Sequence, residues 1–166
     1  MNIVAELKLF VGPLVLGILL AFAICAAAPA PAAAQETVAA KITRLMDHSG
    51  YKYERKSSEG TDIWIVAMTG KSLKSFKVII AAENGELLVA FVNPVTKKDL
   101  PLTPESLQKL LRLANSLDRV KIGIDDDGDL AVRIDETIRI LDEKELADCI
   151  KQLAAASDEV YAAIKQ

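Results

Sequence analysis

Apolar residues in this chain recur at two alternating periods, and the switches between them mark an order of elements. Val38, Ile42, Leu45 and Met46 fall at helical spacing within Thr37–His48, with Gly50 placed to end the helix. Two extended runs follow, Tyr51–Lys56 and Asp62–Met68, separated by Ser57-Ser58-Glu59-Gly60-Thr61. Phe76–Ala82 and Glu86–Val92 are joined by Asn84-Gly85, a pair that tolerates the positive φ angles of a tight hairpin. These four runs predict an antiparallel meander.

A second helix opens at Leu102-Thr103-Pro104, where Thr103 can cap, Pro104 suits the first helical position and Leu102 can staple onto Leu107. Its expected buried stripe is Leu107, Leu110, Leu111, Ala114 and Leu117. A second hairpin, Arg119–Ile124 and Asp129–Ile134, turns at Asp127-Gly128. The last helix starts at Asp142, with Glu145 in a box-like pair and Leu141 stapling onto Leu146. Leu146, Ile150, Leu153, Val160 and Ile164 give it a core face. The order is α-β-β-β(-β)-α-β-β-α, an α+β domain with an antiparallel sheet packed by helices.

The late hairpin alternates as a half-wet sheet should: Val120, Ile122, Ile124, Leu130, Val132 and Ile134 point one way, and Lys121, Asp125, Arg133 and Asp135 the other. The central strands do not alternate. Ile63-Trp64-Ile65-Val66-Ala67-Met68 and Leu87-Leu88-Val89-Ala90-Phe91-Val92 are apolar on both faces. Three helices are too few to cover both sides of such a sheet. Part of one face is therefore expected to meet a homodimer partner or a bound peptide, with Trp64, Val66 and Met68 as candidate partner-binding residues. The competing expectation is that the long last helix crosses that face within the monomer.

Composition changes the picture at the N-terminus. No charged residue occurs from Leu9 to Ala34, and a start containing Lys8, an apolar run to Ile24 and an Ala/Pro tail ending Ala32-Ala33-Ala34 has the layout of a secretory signal. Residues 1–34 are expected to be removed, leaving 35–166 as one domain, periplasmic or secreted. An uncleaved anchor is the alternative, because Leu9–Ala28 approaches the roughly 20 residues of a bilayer span. Only that alternative gives the chain a membrane contact. A net charge of −3, with both signs interspersed, offers no field for nucleic acid.

Candidate chemistry is sparse. Asp125, Asp126, Asp127 and Asp129 around Gly128 suggest a calcium loop, but with Gly128 in the glycine position the first ligand falls on Gly123 and the last on Ile134. Gly70-Lys71-Ser72 copies the tail of a phosphate-binding loop, yet Ile65 stands where the earlier glycine belongs and a strand follows. His48, the only histidine, sits at a helix end. Lys71, Lys74, Lys77, Lys97 and Lys98 read as solubilising loop and edge charges. Cys149 lies on the apolar stripe of the last helix and is expected to pack in the core. The residues predict no catalytic, cofactor or metal site.

From Thr37 to Ile164 the chain resembles the YbjN-like family, most clearly in LLRLANSLDRVKIGIDDDGDLAVRID and LDEKELADCIKQLAAASDEVYAAI. That resemblance implies the fold of type III secretion chaperones and a protein, peptide or homodimeric partner rather than catalysis.

Overall fold

The computed structural model describes residues 36–58 and 60–165. The proposed signal and its cleavage site lie outside the described residues.

Helix α1 (Val38–His48) begins at Thr37, whose Oγ1 accepts from the Ala40 amide. The meander follows as β1 (Tyr53–Ser58), β2 (Thr61–Met68), β3 (Phe76–Glu83) and β4 (Leu87–Val95). Asn84 and Gly85, at φ 52° and 70°, make the β3–β4 turn. Strand β4 outlasts its expected end at Val92, and the ladder shifts between Val92 and Val95, around Pro94, which has no N–H to donate. Next come α2 (Pro104–Ser116), β5 (Lys121–Ile124), β6 (Leu130–Thr137) and α3 (Glu143–Lys165). Strand β6 inserts beside β4, so the antiparallel sheet runs β1-β2-β3-β4-β6-β5, with β1 and β5 as its edges.

One face of this sheet holds the core. Trp64, Val66, Val78, Ile80, Leu88, Ala90, Val92, Val132 and Ile134 project from it into one cluster with Ile42, Leu45 and Met46 of α1 and with Leu146, Cys149, Ile150, Leu153 and Val160 of α3. Each large aliphatic side chain withdrawn from water there contributes about 1.5–3 kcal/mol. Asp142 caps α3 through a 2.7 Å bond from the Glu145 amide, and Leu141 and Leu146 are both buried as a staple requires.

Two expectations are corrected. Trp64 and Val66 are 0% and 1% exposed, and Met68 packs against the same core. These three candidate partner residues lie on the helix-covered face, where Trp64 Nε1 donates to Thr43 Oγ1 of α1 at 3.2 Å. Because β2 is apolar on both sides, its own sequence does not indicate which side the helices take.

The second correction concerns α2. Its inward line is Ser106, Leu110, Leu113 and Leu117, while Leu107 and Leu111 are 45% and 72% exposed. Leu102 is exposed as well, so the expected staple leaves both of its leucines facing water. The helix has two apolar lines one residue apart, and the domain covers only one of them.

Candidate interaction surfaces

Cross-strand register carries an apolar stripe over the sheet face opposite the helices. Ile65 pairs with Ile79, Ile79 with Phe91, and Phe91 with Arg133; one row away Ile63, Ala81, Val89 and Asp135 are linked in the same way. Ile63, Ile65, Ile79, Ala81, Phe91 and Ala131 are all partly exposed. A cavity of ≈ 380 Å³ opens here, floored by Val89, Phe91 and Ala131 and rimmed by Asn93, Asp125, Asp126, Asp127 and Arg133.

Charges on the β6–β5 side of the stripe are largely matched among themselves. Lys121 Nζ lies 2.6 Å from Asp135 Oδ2, and Arg133 reaches Glu83 at 3.0 Å and also holds Asp135. Burial alone would raise the Asp135 carboxyl, but its bonds to Arg133 and Lys121 outweigh that and hold it below its ordinary range. Exposed pairs of this kind are each worth about 0–1 kcal/mol. Their consequence is a polar border around an apolar centre, matched in charge along β6 and acidic where Asp126 and Asp127 reach the cavity rim. This is the anatomy of a protein-binding patch.

A second apolar surface lies at the β5 edge. Leu102, Leu107, Leu111 and Ala114 line one side of a groove of ≈ 260 Å³, and Ile122 and Ile124 the other. Ile124 is 53% exposed although it shares strand parity with the buried Leu130 and Val132.

The remaining sequence candidates have structural partners. His48 Nδ1 donates to the Arg44 carbonyl at 2.7 Å, an end-of-helix contact. Asp125 is bound by the amides of Asp127 and Asp129 and by the Asn93 side chain, so it organises the β5–β6 turn. In the Gly70-Lys71-Ser72 loop the amides of Ser72 and Leu73 each donate to Asp158 Oδ1 at 2.7 Å. These amide bonds, Leu73's first, hold the Asp158 carboxyl below its ordinary range. A loop that mimics a phosphate cradle therefore closes on a carboxylate of α3. Cys149 is fully buried, and burial pushes its thiol up to about 12.

The open stripe was readable in one respect. Alternation alone places Arg133 and Asp135 on the wet side of the late hairpin, and the pairing of Phe91 with Arg133 extends that side to Ile79 and Ile65. Insertion of β6 beside β4 is the long-range fact that local patterning lacked.

Residues 39–166 match the YbjN family, described as "Putative bacterial sensory transduction regulator". Among curated proteins none matches the chain. The fold is similar to that of the Yersinia pestis type III secretion chaperone SycH, solved in complex with a stable fragment of YscM2. The TM-score is 0.50 at 18% identity, over 76% of this chain and 99% of that one. The likeness is one of fold: a six-stranded antiparallel sheet with three helices.

Proposed function

This chain belongs to the YbjN family, and from that premise we propose that it is an exported, non-enzymatic interaction domain that holds a segment of a partner protein on its open sheet face. The observation that carries the reading is the apolar stripe through Ile65, Ile79 and Phe91, on the side of the sheet away from the packed helices. Monomers seldom leave such a strip wet unless it meets a partner. An extended segment suits it, since alternate side chains of a strand all project to one side and can fill the row between Ile65 and Ala131. The chaperone of similar fold, solved with a fragment of another protein, supports a protein partner. The family and the fold give no ground for catalysis, and His48, Asp125 and Asp158 are engaged in helix-end and turn contacts.

Export rests on the uncharged Leu9–Ala34 stretch and the small residues before Gln35. The working domain is then residues 35–166, outside the cytoplasm.

A peptide array tests the binding reading. The full chain is incubated with immobilised 15-residue peptides tiled across envelope and secreted proteins, beside an Ile79→Asp variant verified as folded. Retention of wild type on peptides with alternating apolar residues, lost in Ile79→Asp, is the expected result. Equal retention of the two proteins, or none of wild type, contradicts the reading.

A further inference from the structure

Charge on the open face is unevenly placed. Arg133 reaches Glu83 and Asp135, and Lys121 also reaches Asp135. Asp135 follows Arg133 on β6 and Glu83 ends β3, so both cations lean toward the β3–β4 turn and away from the β5–β6 turn. That second turn carries Asp125, Asp126, Asp127 and Asp129. Asp125 is taken up by the amides of Asp127 and Asp129 and by Asn93, and Asp129 accepts from the Lys97 amide at 2.7 Å. Asp126 and Asp127 are exposed, and among the described residues neither carboxylate has an ion-pair partner. The stem of Lys97 packs against Gly128, which leaves four carboxylates beside one ammonium.

These two carboxylates rim the cavity floored by Val89, Phe91 and Ala131, at the far end of the apolar row from Ile65. A wholly apolar segment laid there would strip water from Asp126 and Asp127 and return nothing, and an acidic one would add repulsion. A basic side chain meets both demands, because its aliphatic stem covers apolar floor while its head stays at the rim.

We propose that the partner segment is basic at this end, with a Lys or Arg whose stem lies on Phe91 and Ala131 and whose charge is met by Asp126 and Asp127. The inference rests on the reading of the open face as a segment-binding surface and adds the chemistry of the segment. Spacing supplies the pattern. Neighbouring strands stand about 4.8 Å apart, so Ile65, Ile79 and Phe91 span roughly 10 Å, and alternate side chains of an extended segment stand about 6.7 Å apart. Two apolar residues at alternate positions fill that row. The next side chain on the same side, two positions further, reaches the acidic rim, which gives the order apolar, any, apolar, any, basic.

Fluorescence anisotropy with three labelled 15-residue peptides tests the proposal. Each has two leucines separated by a serine, followed two positions later by Arg, Gln or Glu, and is otherwise uncharged. The wild-type full chain should hold the Arg peptide about 5- to 10-fold more tightly than the Gln peptide and the Glu peptide least, with the Arg advantage shrinking from about 50 to about 500 mM salt. Asp126→Asn combined with Asp127→Asn should abolish that advantage. Glu105→Gln combined with Glu159→Gln, which removes as much charge from exposed positions elsewhere, should leave it intact. Ile79→Asp should weaken binding of all three peptides. Equal affinity of wild type for the three, lost in Ile79→Asp, overturns this inference and leaves the segment-binding reading standing; no binding of any peptide by wild type overturns both. An Arg advantage that survives in the Asp126 and Asp127 double variant also overturns it.

Discussion

Val66 and Ile65 are neighbours in β2 on opposite sides of the sheet, so the same substitution at each separates the sealed face from the open one. Val66 is 1% exposed within the core cluster, whereas Ile65 is partly exposed among Ile79 and its row mates. Val66→Asp loses about 1.5–3 kcal/mol of apolar burial. It also places a carboxyl where no polar partner waits, costing several kcal/mol more whether it ionises or takes up a proton. The sum, about 5 kcal/mol or above, rivals the whole stability of an ordinary domain. Ile65→Asp replaces a good strand former on a wet surface and costs about 1 kcal/mol. Urea unfolding followed by circular dichroism and by the fluorescence of Trp64, the single tryptophan, measures both. Val66→Asp should be unfolded or nearly so without denaturant, and Ile65→Asp should show a slightly lowered midpoint with an unchanged slope. A folded Val66→Asp protein, or an Ile65→Asp protein as damaged as its neighbour, refutes the assignment of faces.

Cys149 should react slowly with a thiol reagent in native protein and quickly in denaturant, given its burial and raised thiol; equal rates would reject the core placement. The depressed Asp158 carboxyl contributes stability that is present above its unfolded value and lost as pH falls through its folded one. Asp158→Asn should therefore flatten the acid limb of the stability curve below about pH 4, and an unchanged limb would remove Asp158 from the account. A Cβ on Gly70 would collide with the Asp158 carboxylate, so Gly70→Ala should cost about 1–3 kcal/mol and be sub-additive with Asp158→Ala in a thermal-melt cycle. If residues 1–34 are a removed signal, intact mass of the exported protein should place its first residue at Gln35; a mass retaining Leu9–Ala28 would indicate an anchor instead.

Local chemistry carried most of the element order. Thr103 and Asp142 cap their helices as their sequence context predicts, and Asn84-Gly85 and Gly128 turn the hairpins, because caps and turns depend on neighbours a few residues away; Thr37, read from the sequence as the first helical residue, is itself the cap of α1. Ser106 completes the α2 capping box by taking the Thr103 amide, where a glutamate or glutamine is the usual signal. What patterning missed were choices between two equal sides. Strand β2 offers Trp64 and Val66 on one face and Ile63 and Ile65 on the other, and α2 offers Leu110 with Leu113 or Leu107 with Leu111. In each case the decision rests on which element packs there. For β2 it follows from α1 and α3 meeting the Trp64 side, and for α2 from Leu110 reaching the core. The surfaces left over, the Ile65–Phe91 stripe and the Leu111–Ile124 groove, are the unchosen halves of those ambiguous patterns.

Site-specific photo-crosslinking in cells expressing the full chain tests the central claim most directly. A photoactivatable residue at Ile79 lies in the open stripe, and one at Lys151 lies on the exposed side of α3 as a matched control. The account predicts a discrete protein adduct from position 79, identified by mass spectrometry, that is absent from position 151 and is suppressed by Phe91→Asp in the same chain. No adduct at position 79, or the same adducts from both positions, would contradict it.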